Sequence, residues 1–286
     1  MTGSTKVKTT TRKTPIIIAA APTGAYKTPT DYPGLPITTE QIVDEAERCA
    51  MAGASMLHLH VRNSKGLHTL DATCYEKAIN TLRERLGDSI LIQVTTEAAG
   101  RYEAMEQFEA IIKIQSNFIS LALAETVRDG TSQDLDRTTR LFEYLDLAGV
   151  SVQIILYSSD QVTQIDRLMD DGIIPRKNYP LLFVLGRYMR SRDSLPTDLD
   201  PFIDAMAHDM PFMVCAFGQH EIDCMRYAVE CGGHARVGFE NNVLKPDGSA
   251  LADSAESVSL TAKTLSEHGF MIANADDARR LLGVHD

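Results

Sequence analysis

His58, His60 and Arg62 occupy alternate positions in the apolar stretch Ser55-Met-Leu-His-Leu-His-Val-Arg62. Side chains on a strand alternate between faces, so a strand here turns all three the same way. Two imidazoles at that spacing on a buried face can reach one metal ion at about 2.0–2.1 Å. The competing reading is a pair of core histidines bonded to backbone. The stretch His234-Ala-Arg-Val-Gly-Phe-Glu-Asn-Asn242 repeats the alternation with Arg236, Gly238 and Glu240 on one face, and Gly238 is expected to leave room for a ligand between its neighbours. Glu240 is then a natural third metal ligand, although an ion pair with Arg236 or Arg62 would also use it. Two histidines and one carboxylate leave an open position on zinc, as catalytic sites require, and suit non-haem iron equally.

Two further stretches carry polar groups in useful places. Gly186-Arg-Tyr-Met-Arg-Ser-Arg192 puts three arginines in one segment. Arginine forks suit phosphates, so Gly186, Arg187 and Arg190 could receive a nucleotide-like cofactor tail, unless the loop is simply solvated. Thr95 and Thr96 could hydrogen-bond a substrate carboxylate, although hydroxyls at strand ends commonly satisfy local backbone.

The elements that must position these groups alternate without a break. Apolar runs at 14–21, 55–62, 89–96, 118–123, 150–157, 181–186, 211–218 and 235–240 read as strands. Helical patterns fall between them: one starting at Thr38-Thr-Glu-Gln41 and closed by Gly53, then 75–86, 102–114, 134–148, 160–171, 199–208, 221–231 and 255–268. Strand–helix alternation implies parallel strands with right-handed crossovers. Eight such units in 286 residues predict an α/β fold of the TIM (β/α)8 barrel type, one domain over 14–286 behind a disordered tail at 1–13. A doubly wound open sheet would want a Gly-rich turn after the first strand, where the chain reads Ala21-Pro-Thr-Gly24. In a barrel, catalytic groups sit at the C-terminal strand ends, which is where His58, His60 and Arg62, Thr95 to Glu97, and Arg236 to Glu240 fall.

Composition narrows the function. A net charge of −11 argues against a general nucleic-acid or anionic-membrane binder. Five irregularly spaced cysteines, with no CxxC pair, read as reduced thiols and suggest a cytoplasmic protein. No apolar run reaches the length of a membrane span. An amidohydrolase-type zinc site would need a histidine on the first strand and others on the fifth and sixth. No histidine precedes His58, and none lies between His68 and His208.

Taken together, these residues resemble the β-keto acid cleavage enzymes, the zinc-dependent TIM-barrel family whose founding activity is 3-keto-5-aminohexanoate cleavage. The resemblance rests on His58-Leu-His-Val-Arg62, Gly232-Gly-His-Ala-Arg-Val-Gly238 with Glu240, Leu35-Pro-Ile-Thr38, Val184-Leu-Gly186 and Asp277-Ala-Arg-Arg-Leu-Leu-Gly283. It implies a Claisen-type exchange in which a β-keto acid and acetyl-CoA give acetoacetate and a new acyl-CoA. By resemblance, His58, His60 and Glu240 hold Zn²⁺, which polarises the keto group. Arg236 matches the catalytic arginine that acts with a neighbouring Asp in deprotonation, and Thr95 falls where a substrate-carboxylate contact is expected. The segment after Gly186 falls where CoA is received. Relatives are commonly homo-oligomers.

Departures from the family pattern are equally specific. The acid expected after Glu240 is Asn241, which cannot take a proton. Tyr26 stands where the founding type has a Glu that meets the substrate's amino group, and so favours a neutral, aromatic or hydroxylated substrate. Glu97 and Ala98 replace a Gly-Gly pair, Val152-Gln-Ile-Ile155 replaces Pro-Glu-x-Glu, and Arg187 to Arg190 replaces a glycine run. Other readings compatible with these changes are a metal-dependent carbon–carbon lyase or aldolase without CoA, and a silent keto-acid-binding barrel.

Overall fold

The alternation closes into a barrel. In the computed structural model, residues 14–186 and 193–285 are described; the expected tail at 1–13 and the calls on Arg187 and Arg190 lie outside them. The chain begins with β1 (Ile18–Ala20), α1 (Thr39–Met51) and β2 (Met56–Leu59), then a small hairpin of β3 (Val61–Arg62) and β4 (His68–Thr69). There follow α2 (Ala72–Leu86), β5 (Leu91–Thr95), α3 (Ala104–Ile114), β6 (Phe118–Ala122), α4 (Leu123–Thr126), α5 (Ser132–Leu147), β7 (Ser151–Leu156) and α6 (Ser159–Asp170). The last part holds β8 (Leu181–Leu185), a 3-10 turn (Pro196–Leu199), α7 (Asp200–Ala205), β9 (Phe212–Ala216), α8 (Glu221–Glu230), β10 (His234–Val237), α9 (Ser254–Glu267) and α10 (Ala275–Leu282). Eight parallel strands, β1, β2 and β5 to β10, form a closed barrel in chain order, with β10 paired back to β1. The expected TIM barrel is the fold.

Period-two alternation sorts the barrel strands into an inner and an outer set. Met56, Leu91, Phe118, Leu182 and Met213 form a buried cluster with Ile17 and Ala19 inside the barrel. Leu57, Val94, Ile119, Ile154, Phe183 and Val214 belong to the larger cluster shared with the helices. The inward-facing side chains named here are buried, so polar side chains among them must find partners or hold a ligand. Helix α1 starts where expected: the Thr38 hydroxyl accepts from the Gln41 N–H, and the Gln41 side-chain oxygen accepts from the Thr38 N–H. Among the described residues, no helix is long and apolar enough to cross a membrane.

Three local readings need correction. The segment after His60 is a hairpin stem, Val61 and Arg62 pairing with Thr69 and His68, rather than the continuation of one strand over 55–62. The short helix expected at 199–208 is present but shorter, α7 ending at Ala205 because Met206 is extended, and it is entered through the 3-10 turn that Pro196 opens. Gly238 does not make space for a ligand. It has φ +130°, and a Cβ there would lie 2.7 Å from the carbonyl oxygen of Ala21, so the glycine lets the end of β10 lie against β1. Gly238→Ala is therefore expected to cost roughly 2–4 kcal/mol, seen as a lower melting temperature. An unchanged melting temperature would contradict this account of the seam.

Candidate active site

The inner residues nearest the C-terminal strand ends converge on one cleft. It is lined by His58, Thr95, Glu97, Ser120, Ala122, Ile155, Tyr157, Val184, Arg236 and Glu240. His58 and His60 arrive from β2, at one end of which the strand gives way to the hairpin. Glu240 arrives by a tight turn after β10, where the Glu240 N–H donates to the Ala21 carbonyl. Gly24 makes room for it: a Cβ at that position, with φ +66°, would lie 2.6 Å from Glu240 Cγ.

The donor atoms lie close together. His58 Nε2 and His60 Nε2 are 3.1 Å apart, and Glu240 Oε2 lies 3.6 Å from the first and 3.4 Å from the second. Ligands about 2.0–2.1 Å from a tetrahedral ion sit roughly 3.3–3.4 Å from one another, so one ion fits among these three atoms. Glu240 Oε2 is buried and accepts no hydrogen bond among the described residues, the condition of an acceptor kept for a cation. The three residues thus form a group able to hold a metal. Such an ion would supply Lewis-acid polarisation of a bound carbonyl.

Both histidines are fully enclosed, and burial, with the neighbouring Arg236 charge after it, pushes His58 down to about 3. His58 is then neutral near pH 7, the form whose lone pair a metal needs. Its tautomer follows from its partner: His58 Nδ1 lies 2.8 Å from Gln93 Oε1, an acceptor, so Nδ1 carries the proton and Nε2 is bare. Gln93 in turn donates through Nε2 to Gln153 Oε1 at 3.0 Å. The strand register sets this up, placing His58 opposite Gln93 on β5. Removing the amide by Gln93→Leu is expected to weaken metal binding about 10- to 100-fold, as measured by chelator competition. Unchanged affinity would mean that packing alone orients His58.

Arg236 stands on β10 across from the histidines. Its Nη2 donates to Glu240 Oε1 at 3.0 Å and lies 3.4 Å from Cys215 Sγ. Its Nε and Nη1 have no partner among the described residues, although the side chain is buried. Glu240 therefore serves both competing readings at once: one oxygen meets Arg236, the other faces the histidines. Burial alone would raise the Glu240 carboxyl, but Arg236, then the histidines, hold it well below the usual carboxylate range.

Residues 15–284 match the family model described as beta-keto acid cleavage enzyme. The chain belongs to the β-keto acid cleavage enzyme family. It is 29% identical over 270 residues to a 3-keto-5-aminohexanoate cleavage enzyme of Fusobacterium nucleatum, covering 94% of this chain and 98% of the relative. It is 25% identical over 280 residues to a 3-oxoadipate:acetyl-CoA acetyltransferase of Cupriavidus necator, covering 94% and 95% of the two chains. Among solved structures, ObcA in a ternary complex with a C4-CoA adduct and oxalate aligns with a TM-score of 0.66 at 17% identity, over 88% of this chain and 68% of that one. That likeness concerns the barrel alone.

Set beside the family pattern, the other expected site residues fall in different places. Thr95 lines the cleft, its hydroxyl accepting from the Glu97 N–H. Thr96 does not; its hydroxyl donates to the Ser120 carbonyl. Arg62 spends its guanidinium on the carbonyls of Gly24, Lys27 and Gly66, so it fastens the loop after β1. Tyr26 is 61% exposed and is not among the cleft residues. Gly186 directly follows β8 at the C-terminal side of the barrel. Asn241 is buried beside Glu240, with its N–H donating to the Gly238 carbonyl and its Oδ1 unpartnered among the described residues.

Several residues in or around the cleft were not singled out by sequence reasoning for the part they play. Gln93 and Ser120 sit mid-strand in apolar runs, and only their inward parity marks them. Glu97, expected only as one of the strand-end residues and as a departure from the pattern, places its carboxylate 3.9 Å from His60 Nε2. Lys27 donates to the Glu240 carbonyl at 2.7 Å from a loop with no helical or strand signature. His68 packs its ring 5.2 Å from that of His60 and bonds the Glu97 carbonyl, walling the metal side of the cleft.

Proposed function

We propose that this protein catalyses a zinc-dependent exchange between a β-keto acid and acetyl-CoA, giving acetoacetate and a new acyl-CoA. The observation that carries the reading is the convergence of His58, His60 and Glu240 with Arg236 at the C-terminal end of the barrel. Family membership supports the reaction class, as do relatives named for acetyl-CoA-dependent keto-acid reactions.

The exchange balances without redox chemistry. A proton leaves the methylene carbon of the keto acid, that carbon bonds to the acetyl carbonyl, and CoA thiolate departs. The thiolate then adds to the original keto carbon. The bond between that carbon and the methylene breaks, and the released acetoacetate carbanion is reprotonated. When bound at the triad, Zn²⁺ would polarise the keto oxygen. Arg236, with Nε and Nη1 open to a partner, would hold the developing enolate or the carboxylate as a charged hydrogen-bond donor. Ser120 and Thr95 would position the same end of the substrate.

We assign acetyl-CoA to the segment that begins at Gly186 and includes Arg187 and Arg190, on the strength of its arginines and its position after β8. A homo-oligomer in the cytoplasm is the setting we propose. The five free cysteines, four of them buried, are in keeping with the compartment. Asn241 favours a second reading. With an amide where the family has an acid, the proton chemistry could have shifted to a lyase or aldolase that makes no acyl-CoA, or to binding alone. The test is a mass-spectrometric screen of the zinc-loaded protein with acetyl-CoA and a panel of β-keto acids. New acyl-CoA masses support the exchange; keto-acid cleavage without them supports the lyase, and silence supports binding alone.

A further inference from the structure

The cleft has two unlike walls. On one stand Arg236, Glu240 and His58, with Glu97 beside the metal ligands, 3.9 Å from His60 Nε2. On the other stand Ala122, Ile155 and Val184, contributed by the neighbouring strands β6, β7 and β8. Ala122 pairs directly with Ile155 across the β6–β7 ladder. All three are buried and belong to the barrel's inner apolar cluster. Polar groups border this wall without charging it: Ser120, two residues before Ala122 on β6, has an Oγ with no partner among the described residues, and Tyr157 follows Ile155 by two residues. The other unsatisfied polar atoms of the cleft, Arg236 Nε and Nη1 and Glu240 Oε2, belong to the first wall.

This asymmetry orients a substrate. Its carboxylate and keto oxygen belong with the open donors and the metal ligands, which leaves its acyl substituent against the aliphatic wall. We propose that the favoured substrate carries an uncharged, aliphatic acyl group of a few carbons. The proposal rests on the keto-acid reading above and narrows it. An ammonium or a second carboxylate on that substituent would be stripped of water against Ala122, Ile155 and Val184, with no counter-charge on that wall.

Three keto acids of equal chain length isolate the effect: 3-oxohexanoate is neutral at the far end, 3-keto-5-aminohexanoate cationic, and 3-oxoadipate anionic. With acetyl-CoA and the zinc-loaded protein, kcat/KM for 3-oxohexanoate should exceed that of either charged analogue by about 100-fold or more. Equal or faster turnover of a charged analogue overturns the proposal and leaves the exchange reaction standing. If none of the three yields acyl-CoA, the exchange reading falls. Calorimetric binding of the same three then decides the inference: tightest binding of 3-oxohexanoate supports it, and equal or tighter binding of a charged analogue refutes it. Ile155→Glu should turn the preference toward the amino acid analogue. If that variant fails to fold, Val184→Ala serves instead, and it should raise turnover or binding of 3-oxooctanoate relative to 3-oxohexanoate. No relative change in whichever variant is used would remove this wall from specificity.

Discussion

His58→Ala should leave a folded barrel that no longer retains zinc, its affinity falling more than about 100-fold, beyond the 10- to 100-fold cost of losing a supporting hydrogen bond. The expectation follows from the spacing of the donors. With Glu240 Oε2 3.6 Å from His58 Nε2 and 3.4 Å from His60 Nε2, the three atoms are spaced as the corners of one coordination shell would be. Glu240→Ala should also lose the metal, but with a second consequence. Arg236 is buried and draws its charged partner from Glu240 Oε1 at 3.0 Å. Removing that partner leaves an uncompensated guanidinium inside the barrel, at a cost of about 3–5 kcal/mol. The two variants should thus differ in metal-free melting temperature while agreeing in metal content by elemental analysis. Full zinc occupancy in either would end the three-ligand assignment.

Replacing Arg236 itself should separate chemistry from metal binding. Arg236→Lys keeps a positive charge near Glu240 but gives up the planar fork, and with it the two nitrogens that have no hydrogen-bond partner among the described residues. If those nitrogens meet the substrate as its charge develops, kcat should fall by roughly 10²- to 10⁴-fold. Zinc content should change little, because no Arg236 atom is a ligand. The paired measurement is acyl-CoA formation against metal analysis of the same preparation. A lysine variant with near-native turnover would show that a point charge suffices and that the fork has no part in the reaction.

Much of this site could be read from the chain because strands impose a period of two. That period put His58 and His60 on one face, and the run of alternating strands and helices announced the barrel before any contact was known. Glu240 was reached by the same parity, but for an incomplete reason: it turns inward after a tight bend at Gly238, beyond the end of β10. Arg62 shows the limit. It has the parity of the histidines, yet the strand breaks after Leu59 and a hairpin takes over, so its guanidinium goes to loop carbonyls. Gln93 and Ser120 could not be singled out, because their importance depends on which strand lies opposite. The pairing of His58 with Gln93 spans separate units of the chain, and no local pattern records it. The apolar wall is invisible for the same reason, since Ala122, Ile155 and Val184 look like any buried strand residues until three strands are laid side by side.

The seam between β1 and β10 also sets a schedule. Its first strand brings Gly24 and Ala21, its last brings Gly238 and Glu240, and the carboxylate reaches the histidines only where the two meet. A chain emerging from the ribosome carries both imidazoles long before it carries their third partner. Capture of an ion by all three donors would therefore wait for the final turn of the barrel to be laid down, and a protein holding a metal at this triad would be one whose ring has already closed.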